Sequence, residues 1–314
     1  MGNNNVSSIK EFILLGLSSH RKTQILLFAV ILSIYSLSIV GNLVIILLVQ
    51  MDSRLHTPMY FFLKHLAGLE ICYITTTLPQ ALFNLLTGHG SISFIGCATQ
   101  MHMILTLGGT ECVLLGAMAY DRYLAICHPL LYILLMSRWR QLLLTIISWS
   151  VGILLATINV SCTFHHLFCG PNYINHFVCE LPAVLKLACT DTHITEFVVF
   201  TTAAVILLGP LSVILTSYGL ILASVLKRQS TAGRHKAFST CASHLTVVTV
   251  FYGTVITMYM RPGLGTASDF DKKIAVFYMV ITPLLNPIIY TLRNKDVHDA
   301  AAKVLFRPIV GERP

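Results

Sequence analysis

The chain has 314 residues, 55% of them hydrophobic and 11% charged, with a mean hydropathy of +0.75. A soluble domain carries about 25% charged residues, so this composition excludes disorder and argues against an ordinary soluble enzyme. The net charge of +8 suggests nucleic acid until the basic residues are located. They sit mostly in short segments between apolar stretches, as in membrane proteins, and no nucleic-acid partner is expected.

A transmembrane helix takes about 20 mainly apolar residues. In chain order, candidate spans fall near 24–49, 59–86, 97–126, 140–161, 196–226, 237–260 and 272–292. The first, from Gln24 to Val49, contains no charged residue, and the fifth runs clearly from Phe197 to Leu226. The second, third and seventh carry ionisable or Pro/Gly positions. The predicted fold is an all-α membrane protein, a seven-transmembrane helix bundle. Residues 1–23 form an outer segment, 24–292 the membrane domain, and 293–314 a cytoplasmic tail. No repeat of 20–50 residues suggests a solenoid or a repeat-built transporter.

With the N-terminus outside, fourteen Lys and Arg residues lie on the inner side and seven on the outer. The positive-inside rule favours this N-out, C-in arrangement. Asn5-Val6-Ser7 is a glycosylation sequon that would then face the lumen. Cys169, Cys179 and Cys189 fall in the long fourth-to-fifth loop, outside, where disulfides persist. The start of the chain lacks the features of a cleaved signal peptide, so the first span is expected to act as the insertion signal. Asn159-Val160-Ser161 also matches a sequon but lies in or against the fourth span, where a glycan is not expected.

A charge at a helix centre costs roughly 2.5–3.5 kcal/mol on insertion scales, so intramembrane ionisable groups are functional candidates. Glu70 in span two and Glu111 in span three are such groups, and Asn42 and Asn286 in spans one and seven can face the same interior volume. Two acids and two amides suit a hydrated cation such as Na+, or a pair of protonated, hydrogen-bonded carboxyls; both readings stand. Asp121-Arg122-Tyr123 closes span three at the inner face. Taken alone, Arg122 could simply reach the lipid headgroups with Asp121 as partner.

The wider segment Met118-Ala119-Tyr120-Asp121-Arg122-Tyr123-Leu124-Ala125-Ile126-Cys127-His128-Pro129 narrows the reading. Further motifs follow the span order. Gly41-Asn42 lies in span one, and Leu55-His56-Thr57-Pro58-Met59-Tyr60-Phe61-Phe62-Leu63 leads into span two. Ser217-Tyr218 marks span five. Lys236-Ala237-Phe238-Ser239-Thr240-Cys241-Ala242-Ser243-His244-Leu245 opens span six, and Pro283-Leu284-Leu285-Asn286-Pro287-Ile288-Ile289-Tyr290 ends span seven. Over nearly its whole length the chain resembles the olfactory receptors, a branch of the rhodopsin-like G-protein-coupled receptors. Span two departs from the pattern: Leu66-Ala67-Gly68-Leu69-Glu70 ends in Glu where the family usually has Asp. Phe251-Tyr252-Gly253 replaces the Trp-containing motif of many other rhodopsin-like receptors, which is the olfactory pattern.

The resemblance implies a Cys97–Cys179 disulfide tying the long loop over the bundle. Cys169–Cys189 would form a second bridge, although four outer cysteines allow three pairings. The remaining cysteines read as small apolar residues or reduced thiols. It also implies a ligand pocket between the outer halves of the helices. Leu105, Gly108, Gly109 and Cys112 share one face of span three by their spacing, with Ile104 beside them, and Tyr252, Val255, Ile256 and Tyr259 share one face of span six. Thr202 and Ile206 of span five and Val276 and Met279 of span seven would complete the lining. The same stripes serve equally as helix packing. With no acid in the outer half of span three, and Lys186 and Arg261 only at the outer mouth, the expected ligand is a small, neutral, mostly apolar volatile with one polar group reaching Tyr259 or Thr202.

For signalling, the resemblance implies an outward swing of the inner end of span six, which carries Lys236 and His244. The swing would uncover a cavity for a heterotrimeric G protein of the stimulatory, olfactory type, which raises cAMP. Asp121, Arg122, Tyr123, Tyr218, Asn286, Pro287 and Tyr290 would rearrange, with Arg122 leaving Asp121 for Tyr218. After Asn294, Val297, Ala301, Val304 and Leu305 fall on one face beside Lys303 and Arg307, a short helix expected on the lipid of the inner leaflet of the plasma membrane. Trafficking accessory proteins are further expected partners. No enzyme motif or polar conduit appears, which sets aside an enzyme and a channel or transporter. A chemosensory receptor outside olfaction is the alternative within the class.

Overall fold

A computed structural model describes residues 10–169, 171–226, 231–260, 269–292, 297 and 300; the side chains of 231–240, 243, 269 and 290–292 are not described. Asn5, Arg261 and most of the tail, including Ala301, Lys303, Val304, Leu305 and Arg307, lie outside the described residues, as do the Lys236 and Tyr290 side chains. Val297 and Ala300 are helical and buried.

The membrane helices are α1 (Arg21–Met51), α2 (Pro58–Thr87), α3 (Phe94–Cys127), α5 (Arg138–Phe164), α7 (His193–Leu226) and α8 (Thr231–Tyr259). The seventh span is composite: α9 (Asp269–Val276), a π turn (Phe277–Ile281) and α10 (Thr282–Leu292). Two short helices, α4 (Pro129–Leu135) and α6 (Leu181–Leu185), lie in the loops. Most spans run a few residues beyond their apolar stretches because polar ends continue the same backbone ladder outside the hydrocarbon. By length and apolar composition, five helical stretches among the described residues qualify to cross a membrane: Arg21–Met51, Phe94–Cys127, Arg138–Phe164, His193–Leu226 and Phe270–Ile289. Helix α2 is more polar, but Glu70, Thr77 and Asn84 all face inward, where neighbouring helices shield them. Helix α8 contributes the shorter apolar stretch His244–Tyr259. The chain forms a seven-helix membrane bundle.

Its surface inverts the soluble rule. Ile25, Leu26, Leu37, Val40 and Leu47 of α1 are exposed, whereas Ser38 and Asn42 on its other face are buried. Lipid solvates the first set, and the interior must satisfy the second. Helix α3 is the central post, with Ile104, Leu107, Thr110, Glu111, Leu114 and Leu115 all buried. Small residues let helices close on it. A Cβ on Gly152 of α5 would stand 2.5 Å from Thr110 Oγ1 and 2.6 Å from the Thr106 carbonyl oxygen. A Cβ on Gly41 would stand 3.1 Å from Pro287, so Gly41 sets the approach of α1 to α10.

The end of the bundle where α1 and α3 begin, outer in the orientation expected from the sequence, carries a small unanticipated sheet. Strand β1 (Glu11–Leu14) pairs antiparallel with β2 (Ser91–Ser93) and parallel with β3 (Tyr173–Ile174). Alternation along β1 buries Phe12 and Leu14. Phe12 stacks on Phe94 and meets Phe168 edge-on, with centroids 5.9 and 5.6 Å away. The Gly90 carbonyl accepts from the Leu14 amide at 2.8 Å, and a Cβ on Gly90 would come within 2.2 Å of the Leu14 carbonyl oxygen. Disulfides join Cys97 to Cys179 and Cys169 to Cys189, with Cα–Cα distances of 5.3 and 5.6 Å. The first ties the fourth-to-fifth loop to the top of α3.

Candidate ligand cavity and inner-face machinery

A cavity of about 80 Å³ lies between the outer halves of α3, α5, α7 and α8, beneath the loop that Cys179 anchors. From α3 it is lined by Ile104, Leu105, Gly108, Gly109 and Cys112; from α7 by Thr202 and Ile206; and from α8 by Val255 and Tyr259. Four residues expected in the lining lie outside it. Tyr252 points below the floor, where its hydroxyl donates to the Cys112 carbonyl at 2.9 Å. The lining stripe of α8 is Phe251, Val255 and Tyr259, a rotation of the expected face that also excludes Ile256. In span seven the π turn inserts an extra residue and rotates the helix face. Tyr278 therefore meets the cavity, Met279 is buried away from it, and Val276 turns to an outer cleft with Lys272 and Lys273.

The sequence reading also missed the wall supplied by α5. Gly152, Ala156 and Asn159 line the cavity, and their i, i+4, i+7 spacing was visible in the sequence. Asn159, considered only as a sequon, is held by Thr202: its Nδ2 donates to Thr202 Oγ1 at 2.9 Å, and Thr202 Oγ1 lies 3.0 Å from Asn159 Oδ1. Thr202 also approaches the Val198 carbonyl at 2.8 Å, so its hydroxyl is already satisfied by protein. The two glycines of α3 differ in role. A Cβ on Gly108 meets only Tyr73, at 3.9 Å, so Gly108 leaves open space; one on Gly109 comes within 3.3 Å of Gly152 Cα, so Gly109 is also a packing contact.

The roof supplies a charged group that helix patterns could not reveal. Glu180, next to the disulfide, is buried, and Tyr259 and Tyr278 both donate their hydroxyls to its Oε1, the former at 3.2 Å. His176 Nε2 lies 2.9 Å from Oε2, off the line of a good hydrogen bond.

Deeper in the bundle, Glu70, Glu111, Asn42 and Asn286 come together, all at most 2% exposed. Asn286 donates to Glu70, while Asn42 donates to the carbonyls of Ser38 and Pro283 at 2.9 and 3.3 Å. Among the described residues, Glu70 Oε2, Glu111 Oε1, Asn42 Oδ1, Asn286 Oδ1 and Ser38 Oγ accept or donate no well-formed hydrogen bond, and the Glu70 and Glu111 carboxyls face each other. A buried cluster of unpaired oxygen acceptors fits a group that brings positive charge or protons.

At the inner face the expected Asp121–Arg122 pair is replaced by other contacts. Asp121 is buried and accepts from the Tyr132 hydroxyl of α4 at 2.9 Å. Burial and the facing carboxylate push the Tyr132 phenol above its ordinary range. The Arg122 guanidinium turns to the Met59 thioether, and no ion pair joins it to Asp121 among the described residues. Tyr123 and His128 share a hydrogen bond of 2.9 Å. Tyr218 of α7 and His244 of α8 share one of 2.7 Å, latching the inner ends of spans five and six. Pro287 is packed against Gly41.

Seven membrane helices, a roofed apolar cavity in their outer half and a polar latch at the inner end define a seven-span membrane receptor. The olfactory receptor family pattern matches residues 31–307. The chain is 47% identical over 305 residues to olfactory receptor 2G3 of Homo sapiens, covering 97% of this chain and 99% of that one. It is 48% identical over 309 residues to olfactory receptor 5T17 of Mus musculus (98% and 95%) and 48% over 307 residues to olfactory receptor 5A2 of Homo sapiens (98% and 94%). The chain belongs to the olfactory receptor family, multi-pass membrane proteins that are not enzymes.

Proposed function

We propose that this odorant receptor binds a small, mostly apolar volatile in the roofed cavity and activates a stimulatory, olfactory-type G protein from the plasma membrane, N-terminus outside. The observation that carries this reading is the cavity itself, small and walled by Ile104, Leu105, Ile206 and Val255 with few polar groups. Apolar burial contributes about 25 cal/mol per Å², so a small odorant gains only several kcal/mol before ordering costs, and recognition is weak and broad. Binding shifts the receptor only through differential affinity for its two states. Outward movement of α8 breaks the Tyr218–His244 bond and frees Tyr218 for Arg122. A volatile-library screen with a cAMP reporter in cells that traffic such receptors should yield agonists. Surface-expressed receptor silent to the whole library contradicts the reading.

The hydrogen-bond anchor is the Tyr259 oxygen, which gives its hydrogen to Glu180 and keeps its lone pairs for a ligand, in preference to Thr202, whose oxygen already accepts from Asn159 and whose hydrogen faces protein acceptors. Tyr259→Phe is therefore expected to weaken a hydroxyl-bearing agonist about fivefold, the net contribution of one hydrogen bond. Dose–response curves for Tyr259→Phe and Thr202→Ala check this; equal losses in the two variants contradict the choice.

The inner acids carry a second part of the proposal: Glu70, Glu111, Asn42 and Asn286 hold a sodium ion, which would neutralise the facing carboxylates. Replacing external sodium by an impermeant organic cation is then expected to shift agonist potency in the wild type and not in Glu70→Gln. Curves that superimpose in both solutions, for the wild type, favour protonated carboxyls instead.

A further inference from the structure

Resting on the reading of the cavity as the odorant site, we propose that its outer pole is built to accept hydrogen bonds, and selects ligands carrying a hydroxyl over carbonyl compounds of the same shape. A phenol has one hydrogen to give. Tyr259 and Tyr278 both line the cavity, and both give theirs to Glu180 Oε1 behind the wall. A carboxylate is a stronger acceptor than the ketone or ester oxygen of an odorant, so the two hydrogens stay committed. The phenol oxygens keep their lone pairs, which are what the cavity is offered. Glu180 is fixed to this task from three directions. It follows Cys179, which the disulfide ties to α3. Its Oε2 lies 2.9 Å from His176 Nε2, and that ring is held in turn by the Val178 amide, which donates to its Nδ1 at 3.3 Å. It is also buried, with Leu181 beside it forming part of the cavity wall.

Tyr73 completes the arrangement. It lines the cavity, is 3% exposed, and its hydroxyl has no hydrogen-bond partner among the described residues, so it can give or accept. A ligand hydroxyl can therefore donate to a Tyr259 or Tyr278 oxygen while accepting from Tyr73. A carbonyl can only accept from Tyr73, and it faces the oxygen lone pairs of the other two phenols.

The experiment compares matched medium-chain secondary alcohols and methyl ketones in a cAMP assay, with surface staining of every variant. Wild-type receptor is expected to favour the alcohol by about fivefold in EC50, the contribution of one net hydrogen bond. In Glu180→Gln the tyrosine hydrogens lose their charged acceptor and become available to the cavity, so the ketone gains and the preference collapses. Tyr259→Phe and Tyr278→Phe each delete one acceptor oxygen and leave Glu180 the hydrogen bond from the other tyrosine; each is expected to weaken the alcohol and narrow its advantage over the ketone, which accepts nothing from that oxygen. These two variants carry the test if Glu180→Gln does not reach the surface. A wild type that prefers the ketone, or a preference that survives in the variants, overturns the inference and leaves the odorant-receptor reading standing. Surface-expressed wild type that answers neither these compounds nor the wider volatile library overturns both.

Discussion

Replacing Arg122 with alanine is expected to abolish odorant-evoked cAMP while leaving the amount of receptor at the cell surface largely unchanged. The two effects separate because of what Arg122 touches. In this conformation its guanidinium contacts Met59, and Asp121 is served by Tyr132 at 2.9 Å. Removing the arginine leaves the buried Asp121 its hydrogen bond from Tyr132, whereas a buried carboxylate stripped of its partner is a usual reason such a substitution unfolds a protein. The proposed role is in the other state, where the side chain moves to Tyr218 and the G protein. Tyr132→Phe supplies the contrast, since it leaves Asp121 buried without its hydrogen bond, and it is expected to lower surface expression. Flow cytometry of tagged receptor alongside the cAMP reporter reads both. A well-expressed Arg122→Ala variant that signals normally would show that the residue only reaches for headgroups.

Gly152→Val should remove the receptor from the surface altogether, whereas Gly108→Val should be expressed and respond poorly to agonist. Valine at 152 would drive its Cβ to within 2.6 Å of the Thr106 carbonyl oxygen, a backbone atom that a rotamer change cannot move. Overpacking of a close-packed core costs about 1–3 kcal/mol even where side chains can yield. Here α3 and α5 would have to separate along the contact that also carries Gly109. At 108 the first added atom makes an ordinary 3.9 Å contact with Tyr73, and the remaining methyls enter the cavity. The loss there should appear as a higher EC50 with normal staining. Equal expression of the two variants would contradict the division of these glycines into spacer and packing contact.

The spans were legible because a membrane helix writes its solvent into its sequence. Gln24 to Val49 needs no partner information to be read, since lipid accepts any apolar face. The interior acids were legible for the opposite reason: Glu70 and Glu111 are costly anywhere but inside a bundle. Rotation about a helix axis is harder to read, because an all-round apolar helix has little moment to orient it. That is why α8 presents Phe251 where Tyr252 and Ile256 were expected, while Val255 and Tyr259 face inward either way. The π turn at Phe277–Ile281 is a backbone irregularity without a residue signature, and it exchanges Met279 for Tyr278. Glu180 was invisible for a third reason. Its meaning comes from loop folding over a distant helix end, and a lone acid beside a cysteine reads as solvated until the disulfide and the tyrosines bury it. The Asp121–Arg122 pairing failed through adjacency, since neighbours on a helix point in different directions and Tyr132 reaches Asp121 from the separate helix α4.

The pairing of Ile13 with both Ser91 and Tyr173 has a bearing on biogenesis. As the chain is synthesised from its beginning, β1 emerges long before either neighbour exists, and non-local pairings of this kind form late. The opening residues must wait through the insertion of four membrane helices before the strand finds its second edge. Completion of that small sheet thus reports that the helices already delivered stand in the right order, and a tag or truncation that intrudes on Glu11–Leu14 should hold the receptor back at the stage where the cell inspects its newly made membrane proteins.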